Sequence, residues 1–251
     1  MEFENKVILI TGAGSGIGRA ASLLYAQNGG KIAVSDVDPL GGMKTVDMIQ
    51  ANGGEASFVH CNVADYKEVE ELITTVVDRY GQIDVAVNNA GIGGASWHKT
   101  AEHTLEDWDN IIAVNQTGVF YCMKLELQQM ASQGFGSIIN IASIAGLKGL
   151  PNNAAYVASK HAVVGLTKTA AMEYAKHNIR VNAVCPVFTI TNLFDPDKIP
   201  VEGLGDKLRR AIPMKRWAKV EEMAESILWL SSDKASFITG HSLAVDGGIT
   251  A

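Results

Sequence analysis

The feature that most constrains this chain is a glycine-rich turn set between an apolar run and a helical pattern. Val7-Ile8-Leu9-Ile10 is short, apolar throughout and rich in β-branched residues, as a strand buried on both faces should be. Thr11-Gly12-Ala13-Gly14-Ser15-Gly16-Ile17-Gly18 follows at once. Residues 17–27 then read as a helix, ended by Asn28-Gly29-Gly30. A strand that feeds a helix through glycines opens a βαβ unit. Its helix N-terminus carries free N–H groups and a positive dipole end that suit an anion such as a pyrophosphate. The spacing is GxxxGxG, not GxGxxG, because Ile17 and Arg19 stand where the last glycine would fall. No Gly-Lys-Ser/Thr follows, so the turn is not a P-loop.

The same alternation runs on. Strand patterns recur at 31–35, 56–60, 85–88, 137–141, 180–184 and 242–245. Helical patterns separate them: one after Asp38-Pro39, one at 66–79, a long region behind Thr104, then 154–174 and 221–230. This order predicts an α/β fold: a single-domain, Rossmann-type doubly wound parallel sheet of about seven strands with helices on both faces. No linker, repeat or low-complexity segment divides residues 1–251. Residues 188–214 contain three prolines and read as a loop with short helices, and 189–214 is expected to form a lid over the substrate.

Composition excludes several classes. A net charge of −6 opposes a nucleic-acid footprint. Three scattered cysteines make no disulfide framework, and six histidines show no metal-ligand spacing, so no metal site is expected. No apolar run reaches the ~20 residues of a membrane helix, and the first residues lack a leader pattern. The expectation is a cytoplasmic protein acting on a small molecule.

Chemistry is suggested by Tyr156-Val157-Ala158-Ser159-Lys160. Residues at i and i+4 share a helix face, so the Lys160 ammonium is expected to lower the phenol pKa and make Tyr156 a usable acid/base. Asp36 closes the second strand, where a carboxylate can accept from ribose hydroxyls and repel a 2′-phosphate. No Arg or Lys lies in the glycine turn before Gly18 or directly after Asp36. The reading is NAD (NADH), with NADP disfavoured.

Over nearly its whole length the chain resembles the classical short-chain dehydrogenases/reductases. The resemblance rests on Thr11-Gly12-x-x-x-Gly16-x-Gly18, Asn88-Asn89-Ala90-Gly91, Asn115, Ser143, Tyr156-x-x-Ser159-Lys160 and Val245-Asp246-Gly247-Gly248. It implies that Tyr156 is the acid/base and that Lys160 tunes it and holds the nicotinamide ribose. It implies that Ser143 stabilises the substrate oxygen and that Asn115 holds a relay water in a locally distorted helix. It implies cofactor contacts from Gly12, Ser15, Gly16, Ile17, Gly18, Asp36, Asn62, Val63, Asn89, Ala90, Gly91, Pro186, Ile190 and Thr191, besides Tyr156 and Lys160. Asn89 is either a ligand or a structural brace, and Thr189 is the lesser alternative to Thr191. Two residues depart from the pattern: Asn62 replaces an aspartate, and Val187 replaces a glycine after Pro186, which questions the loop shape there.

The pocket is expected from residues 93–97 and 144–150 and from the segment after Pro186. These offer Trp97, Ile144, Leu147, Leu150, Phe188, Leu193 and Phe194 to an apolar ketone or secondary alcohol. His98, His103 and His161 are read as structural, and Arg209 and Arg210 as solvent-facing. The resemblance further implies a homotetramer. The leading reading is an NAD(H)-dependent secondary-alcohol dehydrogenase or ketone reductase. The rivals are a 3-oxoacyl-(acyl-carrier-protein) reductase-like enzyme and a non-catalytic, cofactor-binding regulatory protein.

Overall fold

Each strand of the first βαβ unit buries both of its faces, and the rest of the architecture follows from that. The computed structural model of the chain describes residues 1–93, 98–198 and 203–251. In chain order the main elements are β1 (Val7–Thr11), α1 (Gly16–Gln27), β2 (Lys31–Asp36), α2 (Pro39–Ala51), β3 (Glu55–His60), α3 (Tyr66–Tyr80) and β4 (Val85–Asn88). They continue as α4 (Leu105–Ile112), α5 (Val119–Gln133), β5 (Gly136–Ile141), α6 (Ala154–Tyr174), β6 (Ile179–Pro186), α7 (Leu204–Ala211), α8 (Val220–Ser231) and β7 (Ser242–Val245).

The sheet has seven strands in the order β3-β2-β1-β4-β5-β6-β7. Every pairing is parallel, with Ile8 opposite both Ile32 and Val85, and Asn88 opposite Asn140. Side chains alternate across β1: Val7 and Leu9 join one core cluster, Ile8 and Ile10 the other. The first cluster is covered by α3, α5 and α6 through Leu72, Cys122 and Val163. The second is covered by α1, α2 and α8 through Tyr25, Ile49 and Ile227. The expected three-layer, doubly wound fold is what the chain adopts. Strand order reverses between β1 and β4, and in such sheets ligands bind beyond the carboxyl ends of the strands at that switch point.

Capping signals behave as their chemistry requires. Asp38 accepts from Leu40 N ahead of Pro39, Asp65 from Lys67 N and Glu68 N, and Thr104 Oγ1 from Asp107 N. The long helical region behind Thr104 is not one α-helix. Between α4 and α5 lies a six-residue π turn, Ala113–Gly118, and Asn115 sits inside it. After β6 the chain makes a short 3₁₀ turn at Pro196–Lys198 and then α7, none of whose side chains is buried. Among the described residues, no helix is long and apolar enough to cross a membrane, and no His/Cys/Asp/Glu group could hold a metal ion. Cys61, Cys122 and Cys185 are free and buried.

Candidate active site

The glycine turn leaves β1 and packs on the end of β4. Gly12 has φ 63°, and a Cβ on it would lie 2.7 Å from Ala90 Cα. A Cβ on Gly18 would collide with Gly12 O. Asn89 braces this turn: its Nδ2 donates to Thr11 O at 3.0 Å and Gly12 O at 2.9 Å. Thr11 Oγ1 in return accepts from Asn89 N and Ala90 N. The Asn89 side chain thus braces the turn from the end of β4.

Ser15 precedes α1 without a side-chain cap, and no acidic residue lies in the first turn. The leading N–H groups of α1 therefore keep their donors and dipole for an outside anion. That donor set fits the pyrophosphate of a dinucleotide. Asp36 stands beside it: Oδ2 accepts from Gly14 N at 2.7 Å and Oδ1 from Asp38 N at 2.9 Å. Arg19, marked in the sequence only as breaking the GxGxxG spacing, reaches this turn. Its Nε donates to Thr45 Oγ1 at 2.9 Å, and its Nη2 to Gly41 O at 3.2 Å and to Gly14 O. The guanidinium stiffens the turn from behind, next to Asp36. Further along, Asn62 Oδ1 accepts from Ala64 N, and buried Val63 packs on Gly118 of the π turn.

Ser143 follows β5, and its Oγ accepts from Ala145 N at 3.1 Å. Tyr156 and Lys160 lie on α6, with Lys160 Nζ 5.6 Å from the Tyr156 ring centroid. Lys160 is buried and donates to Ile141 O at 2.8 Å. Burial pulls its pKa down from 10.5 to about 8, with Cys185 acting weakly the other way. The expected lowering of the Tyr156 pKa is not what this structure gives. Burial raises the phenol above 10.0, and a hydrogen bond with the Ser143 hydroxyl opposes the rise. The i,i+4 spacing is right, and the ammonium is turned onto the carbonyl of Ile141.

Asn115 sits in the distorted helix that the resemblance implies, and its side chain pairs with the backbone of Ile92. Oδ1 accepts from Ile92 N and Nδ2 donates to Ile92 O, both at 2.8 Å. The amide fastens the loop after β4. Gly91 lets the groups converge: a Cβ there would sit 3.2 Å from Asn115 Oδ1 and 3.6 Å from Lys160 Nζ.

Val187 leaves the loop intact. It is outside the positive-φ set and buried with Ile144, Ile212, Ala218 and Met223. Replacing it with glycine removes that packing and loosens the backbone, so Val187→Gly is expected to lower unfolding free energy by about 2–4 kcal/mol. Denaturant melts read this directly, and an unchanged midpoint would refute the packing role. Ile144 belongs to the same cluster as core, not pocket wall.

Thr189 is buried, and its Oγ1 donates to Val187 O, which leaves Thr191 as the residue facing the turn. Thr191 Cγ2 lies 3.1 Å from where a Gly16 Cβ would be, and Leu193 Cδ1 3.1 Å from where a Gly93 Cβ would be. Residues 191–193 thus cross from the glycine turn to the loop after β4. Behind them Phe188, Phe194 and Trp217 pack as an aromatic trio, with centroids 5.1–6.0 Å apart. Trp217 carried no sequence signal, because no motif or periodicity marks it. Leu147 is partly exposed and available to a ligand. Residues 94–97, including the pocket candidate Trp97, lie outside the described residues. His161 bonds Val157 O on its own helix, and His103 lies 3.6 Å from Asp107.

A dinucleotide-type turn, a carboxylate at the end of β2 and a Ser–Tyr–Lys group at the carboxyl edge of one parallel sheet define a nucleotide-dependent oxidoreductase. The chain belongs to the classical short-chain dehydrogenase/reductase family. Residues 12–250 match the model of a family described as enoyl-(acyl carrier protein) reductase. The chain is 42% identical over 249 residues to a cyclohexanol dehydrogenase of Acinetobacter sp., covering 99% of this chain and 96% of that one. It is 41% identical to a 3-oxoacyl-[acyl-carrier-protein] reductase of Thermotoga maritima, covering 99% of each chain. The solved structure of an NAD+-bound xylitol dehydrogenase superposes with a TM-score of 0.93 at 33% identity, covering 99% of this chain and all (100%) of that one. Members of the family bind nicotinamide cofactors.

Proposed function

We propose that this chain is an NAD(H)-dependent oxidoreductase that interconverts a secondary alcohol and its ketone, with Tyr156 as the acid/base. The observation that carries this reading is the Tyr156 phenol, whose titration the Ser143 hydroxyl eases, one helical turn from the buried Lys160 ammonium. Gly12, Ser15, Gly16, Ile17 and Gly18 hold the pyrophosphate at the start of α1. Asp36 accepts from the adenosine ribose, Asn62 and Val63 line the adenine side, and Ala90, Gly91, Pro186, Ile190 and Thr191 flank the nicotinamide side. The bound cofactor supplies or accepts the hydride. Ser143 hydrogen-bonds the substrate oxygen and steadies developing charge there. Tyr156 gives that oxygen a proton in reduction and takes one in oxidation. Lys160 holds positive charge behind the phenol, and residues 189–214 close over the substrate and exclude water.

The similarity to a cyclohexanol dehydrogenase, together with Leu147, Phe188 and Phe194, supports a cyclic, apolar substrate. The similarity to a 3-oxoacyl-[acyl-carrier-protein] reductase supports the second reading, which Asp36 and the net charge of −6 oppose. Exposed Leu105, Trp108 and Phe120 on and after α4 support a homotetramer that buries this face.

The test is NADH formation from linear, cyclic and aryl secondary alcohols, with NADP run in parallel. Turnover with no alcohol, and none with the matching ketones and NADH, would overturn the proposal. Asp36→Ala removes a charge-assisted hydrogen bond to the ribose and the repulsion of a 2′-phosphate. It is expected to shift the NAD/NADP ratio of kcat/KM towards NADP by roughly 10- to 100-fold. An unshifted ratio would remove Asp36 from cofactor selection.

A further inference from the structure

A buried polar chain lies beneath the active site. Glu126 on α5 is fully buried (0% exposed), as are Asn140 on β5 and Thr167 on α6, and Asn88 on β4 is 1% exposed. Their hydrogen bonds run in one direction. Asn88 Nδ2 donates one proton to Glu126 Oε2 at 2.9 Å and the other to Asn140 Oδ1 at 3.0 Å. Asn140 Nδ2 donates to Thr167 Oγ1 at 2.9 Å and to Met123 Sδ at 3.3 Å. Thr167 Oγ1 donates to Val163 O at 2.8 Å. Every amide and hydroxyl proton of the chain is in use.

Two acceptors remain. Asn88 Oδ1 and Glu126 Oε1 are buried and have no partner among the described residues. They belong to the two side chains that already share a hydrogen bond. Turning the Asn88 carboxamide over does not help, since its oxygen would then face the oxygens of Glu126 and Asn140. Two orphaned oxygens on one bonded pair are one proton short, and a buried unpaired acceptor is costly. A proton on Glu126 Oε1, donated to Asn88 Oδ1, satisfies both and makes a two-bond acid–amide pair.

We propose that Glu126 is a neutral carboxylic acid in the folded protein, locked to the Asn88 carboxamide as a positioning residue that ties α5 to β4, β5 and α6. The three elements it joins carry the site: Asn88 leads into Asn89-Ala90-Gly91, Asn140 lies three residues before Ser143, and Thr167 is on the helix of Tyr156 and Lys160. The surroundings favour the neutral form. Cys122 faces Glu126 from its own helix as a thiol whose pKa burial pushes up, and Cys61 lies beside Cys122, also pushed up, to about 12. β4, β5 and α6 present the uncharged Asn88, Asn140 and Thr167. Burial raises the Glu126 carboxyl from 4.5 to about 7, against the lowering effect of the Asn88 hydrogen bond.

Glu126→Gln tests this, because a glutamine amide both donates to and accepts from Asn88 with no ionisable proton. Between pH 4.5 and about 7 the unfolded glutamate ionises while the folded one keeps its proton. Folding then takes up a proton, and the wild-type folding equilibrium constant falls about tenfold per pH unit relative to E126Q. Urea melts of both proteins across that window are expected to show E126Q gaining on the wild type as pH rises, then holding level. The infrared C=O band of a protonated acid should be present in the wild type near pH 5.5 and absent from E126Q. NADH affinity, read by fluorescence, is expected to weaken about tenfold or more in E126A and to be rescued in E126Q. A stability difference level across the window, or a wild type without the acid band, overturns the proposal. Neither readout needs turnover, so failure of the proposed reaction leaves this test intact.

Discussion

Tyr156→Phe is expected to reduce NADH formation from a secondary alcohol by roughly 10²–10⁴-fold, the usual worth of a positioned acid/base. The change removes one oxygen and keeps the ring, so the packing of α6 is preserved. Ser143 retains its hydrogen bond from Ala145 N and stays in place. Affinity for NADH, measured by fluorescence titration, should change little, because the lost group serves the substrate oxygen. The separation of kcat from cofactor affinity is the diagnostic. A variant that kept most of its turnover would move the proton transfer to Ser143 or to solvent and end the role assigned to Tyr156.

Lys160→Met is expected to do two opposite things: abolish turnover and stabilise the fold near neutral pH. Lys160 is 4% exposed, and among the described residues its ammonium, with three donors, makes a single hydrogen bond, to Ile141 O. Burial holds it at about 8 in the folded chain against 10.5 for a free lysine. Below pH 8 both states carry the proton and the folded state bears the whole burial penalty. Between about 8 and 10.5 the folded chain has released its proton and the unfolded chain has not, so wild-type stability climbs with pH. The displacement corresponds to ~3 kcal/mol at most, from which ~1 kcal/mol for the lost hydrogen bond is subtracted. The advantage of K160M should therefore be about 2 kcal/mol at pH 7, vanish near pH ~9.5 and turn into a deficit of about 1 kcal/mol as pH approaches 10.5. Chemical melts at pH 7 and pH 10 measure both ends. A methionine variant less stable than wild type at pH 7 would show that the ammonium is fully satisfied where it lies.

The first unit shows why most of the fold is legible in the sequence. β1 is buried on both faces, so its sequence is unbroken apolar residues, and the glycines after it leave no alternative to a tight turn into α1. α7 shows the reverse: it is short and buries no side chain, so the prolines around it announce only a loop with short helices. The π turn is hidden for another reason. Its residues, Ala-Val-Asn-Gln-Thr-Gly, suit an α-helix almost as well, and only the asparagine hints at a local distortion.

In the site, Ser143, Tyr156 and Lys160 were legible because their spacing belongs to the chemistry. The direction of the Tyr156 pKa was not, since helical spacing places backbones and does not say that the ammonium points to Ile141 O. Arg19 and Glu126 were invisible for a simpler reason. Each reads as an ordinary charged residue on a helix. Only the fold brings Arg19 to Gly14 and Gly41, and Glu126 to Asn88 across 38 positions of chain.

The π turn at 113–118 also makes the length of this stretch a functional quantity. In helical terms the turn carries one residue too many, and each residue advances the helix by about 100°. A single deletion there would let α4 and α5 fuse into a smoother, better-bonded rod. It would also rotate α4 relative to α5, withdraw Asn115 from Ile92 and release the loop that covers Lys160. The irregular turn is thus a phase adjuster: it lets the two helices face different neighbours while one asparagine points at the catalytic floor. Substitutions in this stretch can be absorbed where side chains allow, but a change of length cannot, however favourable the new helix would be.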